Sequence, residues 1–575
     1  MLLPRHPSYL RDKGLRLMTF SLIAMAALSL AQATPLINLD TKDRDTISGE
    51  RKFRVTVQAK SPITQVEFYV GSDLRDSDTS TPYEFKLDTL EVDDGNLKLT
   101  FAAYTADGKS SKKSITVNVD NGVARGADFH VQKGVDLLRE SKWDDAITSG
   151  RIALKAKKGY NPARIVLARA YMGKNVLDRA QKYAEDVVAE EPNNLTGLEL
   201  IAGIKLHQAF VTVNRGGNTA ETQKTIADAL RGAAEARRRS LDTQVDNFGA
   251  VTDANRLKFV DLAITAGRYS LVPAQLSTPF AMDTSNAALA NRLAFGQIKM
   301  GKFTDARATL SNLNKRSGMD AYSYALLAVI ETEAGNRQAA EDAMKEAILS
   351  DGEDLGVRTA QAYIALKNLN TGVVGKLASD LARDQGQRTE VNYFLSALTN
   401  RLSEFEQSRK YFERAVLAEP SNADMFVERG NESVRIALRA GLDKKDADLQ
   451  MSGAKILYET AIIAQPASYQ GLTALSMVNL MQGKRQDAIK FAEAAVAANP
   501  NFAAGHYALS AAYSEASKAA EGAQKAKLIA ESQKANLRAG SIDKANLEGR
   551  EIPNAAAVFR YFETGGRTVV MTPPK

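Results

Sequence analysis

A turn followed by a helix start returns in this chain every 34 residues, and a fixed spacing of that length leaves few folds open. The stretch AGNRQAAEDAM (Ala334–Met344) stands 34 positions after MGKFTDARATL (Met300–Leu310). Downstream, QGKRQDAIKFA repeats the form with Gly483, Ala488 and Ala492. A frame opened at Ala287 and stepped by 34 lands on Ala321, Leu355, Thr389 and Ala423, and each step holds the text of two helices. The same frame fits Ala127, Asn161 and Leu195, and again Tyr469 and Ala503. Small residues recur at position 8 (Ala294, Ala328, Ala362, Ser396, Gly430) and at position 20 (Ala306, Ala340, Ser408, with Val374). Position 27 reads Leu313, Ala347, Leu381 and Ala415. Two antiparallel helices approach closely only where side chains are small, so these positions mark helix crossings. Glycine at position 15 (Gly301, Gly335, Gly483) ends the first helix in a left-handed residue. Proline at position 32 (Pro192, Pro420, Pro500) closes the second. One such hairpin cannot cover its own apolar face, so the units must stack.

With this phase the text resembles the tetratricopeptide repeat (TPR) family over Ala127 to Leu537. The resemblance implies a mainly α fold: a right-handed α-helical TPR solenoid of about nine to ten units over 127–540. The phase weakens near 211–286, where an insert containing NRGGNTAET displaces a helix and 241–286 fits the frame poorly. It weakens again near 438–452. In this family the first helix of each unit lines a concave surface, mainly through positions 2, 5, 9, 12 and 13. Carried onto this chain, those positions collect Asn291, Phe295, Tyr322, Val329, Tyr363, Tyr393, Arg401 and Met477 as candidate partner-binding residues. Two roles are open to the recurring aromatics: they fill gaps between neighbouring first helices, or they form an exposed peptide groove. The Lys/Asn pattern that clamps a C-terminal carboxylate in some members is not visible. The partners implied are other proteins or peptides.

Ahead of the helices, from about Leu36 to Asp120, the text alternates with period two. RKFRVTVQAK places Phe53, Val55 and Val57 on one face, and ITQVEFYVG places Val66, Phe68 and Val70 there. Phe85 and Leu87, then Leu97, Leu99 and Phe101, then Ile115, Val117 and Val119 continue the pattern between turn signals. Short alternating strands at this spacing predict an antiparallel sandwich over 34–122. The stretches VEFYVGSD, TPYEFKLDTL, LTFAAYTADGKSS and ITVNVDN resemble the bacterial Ig-like domains of secreted and surface proteins. That resemblance implies a spacer or adhesive module rather than a chemistry. The acids Asp40, Asp43, Asp45, Asp73, Asp76 and Asp78 fit no calcium loop and read as solvated loop residues.

MTFSLIAMAALSLAQA (Met18–Ala33) is too short an apolar run to span a bilayer and ends in Ala31-Gln32-Ala33. With Arg5, Arg11, Lys13 and Arg16 before it, residues 1–33 read as a signal peptide. The expected mature chain is exported, periplasmic or at the cell surface, with no transmembrane segment. Removing those four basic residues and Asp12 takes +3 from the formal charge of +7 and leaves +4, too little over this length to argue for nucleic acid. The chain has no cysteine, which excludes disulfides, thiolate metal sites and a thiol nucleophile. His130, His207 and His506 fall in different units, too far apart for a metal site. Ser452-Gly453-Ala454-Lys455 spells a Ser-x-x-Lys tetrad without supporting motifs, and ARRRS (Ala236–Ser240) reads as a solvated basic face. No cofactor is expected, and residues 541–575 read as a C-terminal tail.

Two functions remain open on these grounds. One is a non-catalytic exported scaffold binding partner proteins through the solenoid's concave face, in envelope assembly or secretion. The other is a cell-surface or carbohydrate-associated protein that binds through its Ig-like module, with the solenoid as a stalk. An enzymatic reading survives only if 241–286 hides a site.

Overall fold

The computed structural model of the chain describes residues 34–215, 220–368, 371–385, 389–439, 441–543 and Phe562. The signal peptide expected over 1–33 lies outside the described residues, as does the tail beyond Asp543 except Phe562. The chain divides into two compact units, one ending at Val176 and the other beginning at Leu177.

The first unit opens with a β-sandwich. One sheet has the order β1 (Leu36–Leu39), β3 (Glu50–Gln58), β6 (Tyr83–Asp88). The other runs β2 (Thr46–Ile47), β8 (Ser110–Val119), β7 (Gly95–Thr105), β4 (Ile63–Val70), β5 (Asp73–Asp78). The period-two residues face inward, and all are buried except Val57 and Leu97, which are half-buried. Phe53, Phe68, Phe85 and Phe101 form the centre, with ring centroids 5.0–5.9 Å apart. Asp73, Asp76 and Asp78, expected in loops, instead form the exposed edge strand β5. An edge strand buries neither face, so it shows no apolar alternation, and its charges discourage pairing with another chain.

Three helices complete this unit: α1 (Ala127–Arg139), α2 (Trp143–Ala156) and α3 (Asn161–Gly173). They are anchored on the end of the sandwich. Arg151 pairs with Asp88, Lys155 donates to the Leu90 and Val92 carbonyls, and His130 Nε2 donates to the Gly122 carbonyl at 2.7 Å.

The second unit is a run of antiparallel helices. It begins with α4 (Leu177–Glu190), α5 (Leu195–Arg215) and α6 (Ala220–Asp246). Hairpins follow as α7 (Arg256–Thr265) with α8 (Leu271–Met282), α9 (Ala287–Lys299) with α10 (Phe303–Ser317), and α11 (Ala321–Glu333) with α12 (Arg337–Asp351). The next are α13 (Leu355–Lys367) with α14 (Thr371–Gln385), α15 (Thr389–Arg401) with α16 (Phe405–Ala418), and α17 (Ala423–Ala437) with α18 (Lys444–Ala464). The last are α19 (Tyr469–Met481) with α20 (Arg485–Ala498) and α21 (Ala503–Ser517) with α22 (Gly522–Ile542). This is the tetratricopeptide-type hairpin array that the 34-residue phase implies, and the first helices from α9 onward start at the frame residues themselves.

The crossing positions are closed as packing requires. Every residue named above at positions 8, 20 and 27 is buried. In two hairpins the contact between positions 8 and 20 is explicit. Ser396 Oγ donates to the Ser408 carbonyl at 3.0 Å while Ser408 Oγ donates to the Ser396 carbonyl at 2.8 Å, and Ser476 Oγ donates to the Ala488 carbonyl at 2.7 Å. Position 15 is left-handed in Gly301, Gly335 and Gly483, and equally in Ser141, Asn175 and Ser403. The connection demands that conformation whether or not a glycine is present.

Residues 253–286 prove to be in phase, which corrects the expectation for 241–286. Gly267 takes the left-handed position 15 and the next hairpin opens 34 residues after Asp253, at Ala287. The signal was hidden because the small crossing residues are replaced by Val260 and Val272. The space they need comes from Gly296 of the following hairpin, where an added Cβ would lie 2.7 Å from Val272.

ARRRS is also corrected. Arg237 makes a two-pronged bond to Glu419 (2.8 and 3.1 Å), and Arg239 donates to the Pro192 carbonyl at 3.0 Å. With Arg231 paired to Glu459, the long helix α6 ties the early part of this unit to hairpins about 200 residues later.

Candidate partner-binding site

Seven of the eight candidate groove residues lie in the interior of the second unit. Asn291, Phe295, Tyr322, Val329, Tyr363, Tyr393 and Met477 are all buried, and Arg401 is half-buried at the end of α15. Of the two roles left open to the recurring aromatics, their burial favours gap-filling between neighbouring helices over an exposed groove. The cause is the way the array turns back on itself. First helices such as α9 and α19 are buried on nearly every face, with Ala290–Ile298 and Tyr469–Asn479 enclosed without a break. Lys299 of α9 pairs with Asp424 of α17. Gly301 lies against Asn499, leaving no room for a Cβ.

Each candidate has an internal partner. Tyr322 covers Gly356 so closely that a Cβ there would meet its ring. The Phe295 ring meets Tyr269 edge-on at 6.5 Å. Asn291 Nδ2 donates to Asp320 (3.0 and 3.1 Å) and its Oδ1 accepts from Ser323 Oγ at 2.6 Å, which ties the first helix of one hairpin to the N-cap of the next. The Tyr363 hydroxyl donates to Glu333, which also binds Lys367. Burial, and then Glu333, pushes the Tyr363 phenol well above its ordinary pKa.

The open apolar surface lies elsewhere in the same unit. A cavity of about 1290 Å³ is bounded by α12 and the facing ends of α13 and α14 on one side, and by Tyr469, Phe502 and Ile542 on the other. Its walls carry Ile348 (43% exposed), Leu349 (70%) and Val373 (43%), beside Met344. Arg307, Glu333, Arg337, Glu341, Lys345 and Lys367 ring these apolar groups with mixed charge. Sequence reasoning missed it because its apolar side chains come from second helices and a hairpin end. The signal was nevertheless there: Ile348-Leu349 is an apolar pair on the otherwise polar outer face of α12.

A second half-exposed cluster sits on the outer face of the five-stranded sheet. Tyr69 and Tyr104 both donate to Glu67 Oε2 (2.5 and 2.8 Å), Gln65 donates to Glu67 Oε1 at 2.9 Å, and Lys112 lies 5.9 Å from the Tyr69 ring centre. The hydrogen bond to Glu67, and then burial, pushes the Tyr69 phenol up to about 12.

The Ser-x-x-Lys tetrad does not assemble. Ser452 Oγ donates to the Asp448 carbonyl, and Lys455 donates to Asn479. His130 and His506 are each bound to a backbone carbonyl inside their own units. Among the described residues no cluster of His, Asp and Glu could hold a metal ion, and no helix is long and apolar enough to cross a membrane.

Residues 39–101 match the model of the bacterial Ig domain family. No curated protein matches the chain. Among solved structures it is similar to the fibronectin(III)-like modules of Clostridium thermocellum CbhA, with 28% identity over 15% of this chain and 94% of that one and a TM-score of 0.13. It is also similar to yeast Tom70, with 15% identity over 73% of this chain and 98% of that one and a TM-score of 0.30. The Cut9–Hcn1 hetero-tetramer of APC/C gives 14% identity over 76% and 93%, with a TM-score of 0.37.

Proposed function

We propose that the chain is a non-catalytic, exported scaffold that holds a partner protein on the cavity face of its helical array. The observation that carries this reading is the exposed apolar group Ile348, Leu349 and Val373 on the walls of a 1290 Å³ cavity. Contiguous apolar surface of this kind marks partner sites on folded proteins. The matching partner is a protein segment with two or three apolar side chains on one face, flanked by charges of both signs. Export rests on the leader text ending in Ala31-Gln32-Ala33 and on the Ig-domain match, and it predicts a mature N-terminus at Thr34.

A photo-crosslinking side chain at Leu349 in the full chain, expressed in its native cell, tests the surface. We expect a covalent protein adduct that is lost with Ile348→Asp and absent when the probe sits at Leu537, an exposed residue of α22 outside the cavity. Equal labelling from both positions would remove the cavity from consideration.

The second reading, a surface protein that binds carbohydrate through its sandwich, draws on Tyr69 and Tyr104 beside Lys112. Half-exposed aromatic rings with fixed polar neighbours suit a sugar face. Under that reading, Tyr104→Ala in the full chain abolishes retention on cell-wall glycan while Leu349→Asp leaves it unchanged.

A further inference from the structure

The charges that ring the cavity are spent largely on one another. Arg307 pairs with Glu331 at 2.6 Å, Arg337 with Glu341 at 3.0 Å and Lys367 with Glu333 at 2.5 Å. Carboxamides on both walls are left open instead. Gln470, beside Tyr469, is 7% exposed, and its side chain makes no hydrogen bond among the described residues. Gln361 of α13, half-buried on the opposite wall, makes none either. Asn499, 4% exposed, accepts from the Asn501 backbone N–H through Oδ1 at 3.0 Å, and its Nδ2 meets no acceptor among the described residues. A carboxamide so enclosed is satisfied only by a partner that brings both an acceptor and a donor. Beside these groups stand the branched aliphatic side chains Ile348, Leu349 and Val373. Walls of this composition match a ligand with neutral amides and aliphatic side chains, which is a peptide. In a helix the backbone N–H and C=O groups are engaged with each other, whereas in an extended segment they are free to meet side chains.

Given the cavity as a partner site, as read above, we propose that it takes its partner as an extended segment. Gln361, Gln470 and Asn499 hydrogen-bond the segment's backbone, and Ile348, Leu349 and Val373 pack against every second side chain. Recognition of this kind is set by conformation and by the alternation of aliphatic residues, and it tolerates many sequences.

The probe is a labelled, end-capped decapeptide in which leucine alternates with lysine and glutamate, mixed with increasing full-length chain and followed by fluorescence anisotropy. It should bind with a Kd below about 100 μM. N-methylation of its lysine and glutamate amides should weaken binding about tenfold in wild type, but only about twofold in a Gln361→Leu, Gln470→Leu double variant. If the double variant does not fold, Gln361→Leu alone should show the same trend, since Gln361 is only half-buried. A stapled helical peptide of the same composition, with its leucines on one face, should bind at least tenfold more weakly than the alternating one. Failure of the alternating peptide to bind, equal binding of the helical one, or an N-methylation effect of the same size in both chains overturns the proposal. The Leu349 photo-crosslink reads the partner site separately. An adduct lost with Ile348→Asp keeps that site and removes only its extended, backbone-bound occupant, whereas an adduct indifferent to Ile348→Asp removes both.

Discussion

Asp107 sits in the tight turn between β7 and β8, where Gly108 supplies a positive φ of 79°. Its carboxylate accepts from Thr105 Oγ1 at 2.6 Å and pairs with Lys109 at 3.1 Å, and these two contacts, Thr105 first, hold its pKa far below the ordinary range. A carboxylate depressed in the folded state contributes stability above its unfolded pKa of about 3.9, and that contribution is lost as pH falls through the folded value. The first unit should therefore melt at lower temperature as pH drops from about 5 toward 2. Asp107→Asn should reduce that dependence, with Asp78, Glu84 and Asp94, also held below the usual carboxylate range, supplying the rest. Trp143, the chain's single tryptophan, reports the transition by fluorescence. Ser141, two residues earlier, holds φ at 57° where Gly301 and Gly335 hold the same turn in their hairpins. Left-handed backbone costs a residue with a Cβ about 1–2 kcal/mol, part of which glycine returns as unfolded-state entropy. Ser141→Gly should stabilise the first unit by about 0.5–1 kcal/mol in denaturant titration, and a loss of stability would refute the position-15 rule.

At the scale of the element, the hairpin is defined by pairs of large and small groups, and the small member can sit on either side. Where it stays in place, as Ser396 against Ser408, the phase was legible from the text. Where it moves, as with Val272 packed on Gly296, the period was present but its letters had changed, and 253–286 went unread. The edge strand β5 escaped for a related reason, since alternation records burial of one face and β5 buries none. Trp143, the seventeenth residue of the unit that opens at Ala127, works the same way. Trp143 lies over Gly173 at the end of α3, where a Cβ would be 2.7 Å from the indole. Gly173→Ala should displace that ring, cost about 1–3 kcal/mol and shift its emission to the red. Unchanged emission and midpoint would show that the indole does not brace the hairpin.

At the scale of the whole molecule, the β-sandwich and helical array were legible because period-two and 34-residue patterns are local. The candidate site was not, because exposure of a first-helix face is decided by how the array turns. That turning brings together groups remote in sequence: Arg237 with Glu419, Arg231 with Glu459, and Lys299 with Asp424. No local pattern encodes which distant carboxylate an arginine will meet. Glu419→Gln should leave half-buried Arg237 with only its longer contact to Glu199 (3.6 Å) as a charge partner, and should lower the stability of the second unit by about 1–3 kcal/mol. A double-mutant cycle with Arg237→Gln should return a coupling of about 0.5–3 kcal/mol. Zero coupling would mean that the turn is held by apolar packing alone.

The first helices form an inner layer of the fold rather than a binding face. Tyr363 is the residue that separates the two, since its ring is buried and its hydroxyl bound to Glu333. The direct measurement is denaturant unfolding of Tyr363→Ala, followed by far-ultraviolet circular dichroism. The expected loss is about 3–5 kcal/mol, as for other truncated core aromatics. An unfolding curve superimposable on wild type would contradict it and return the aromatic residues to the surface.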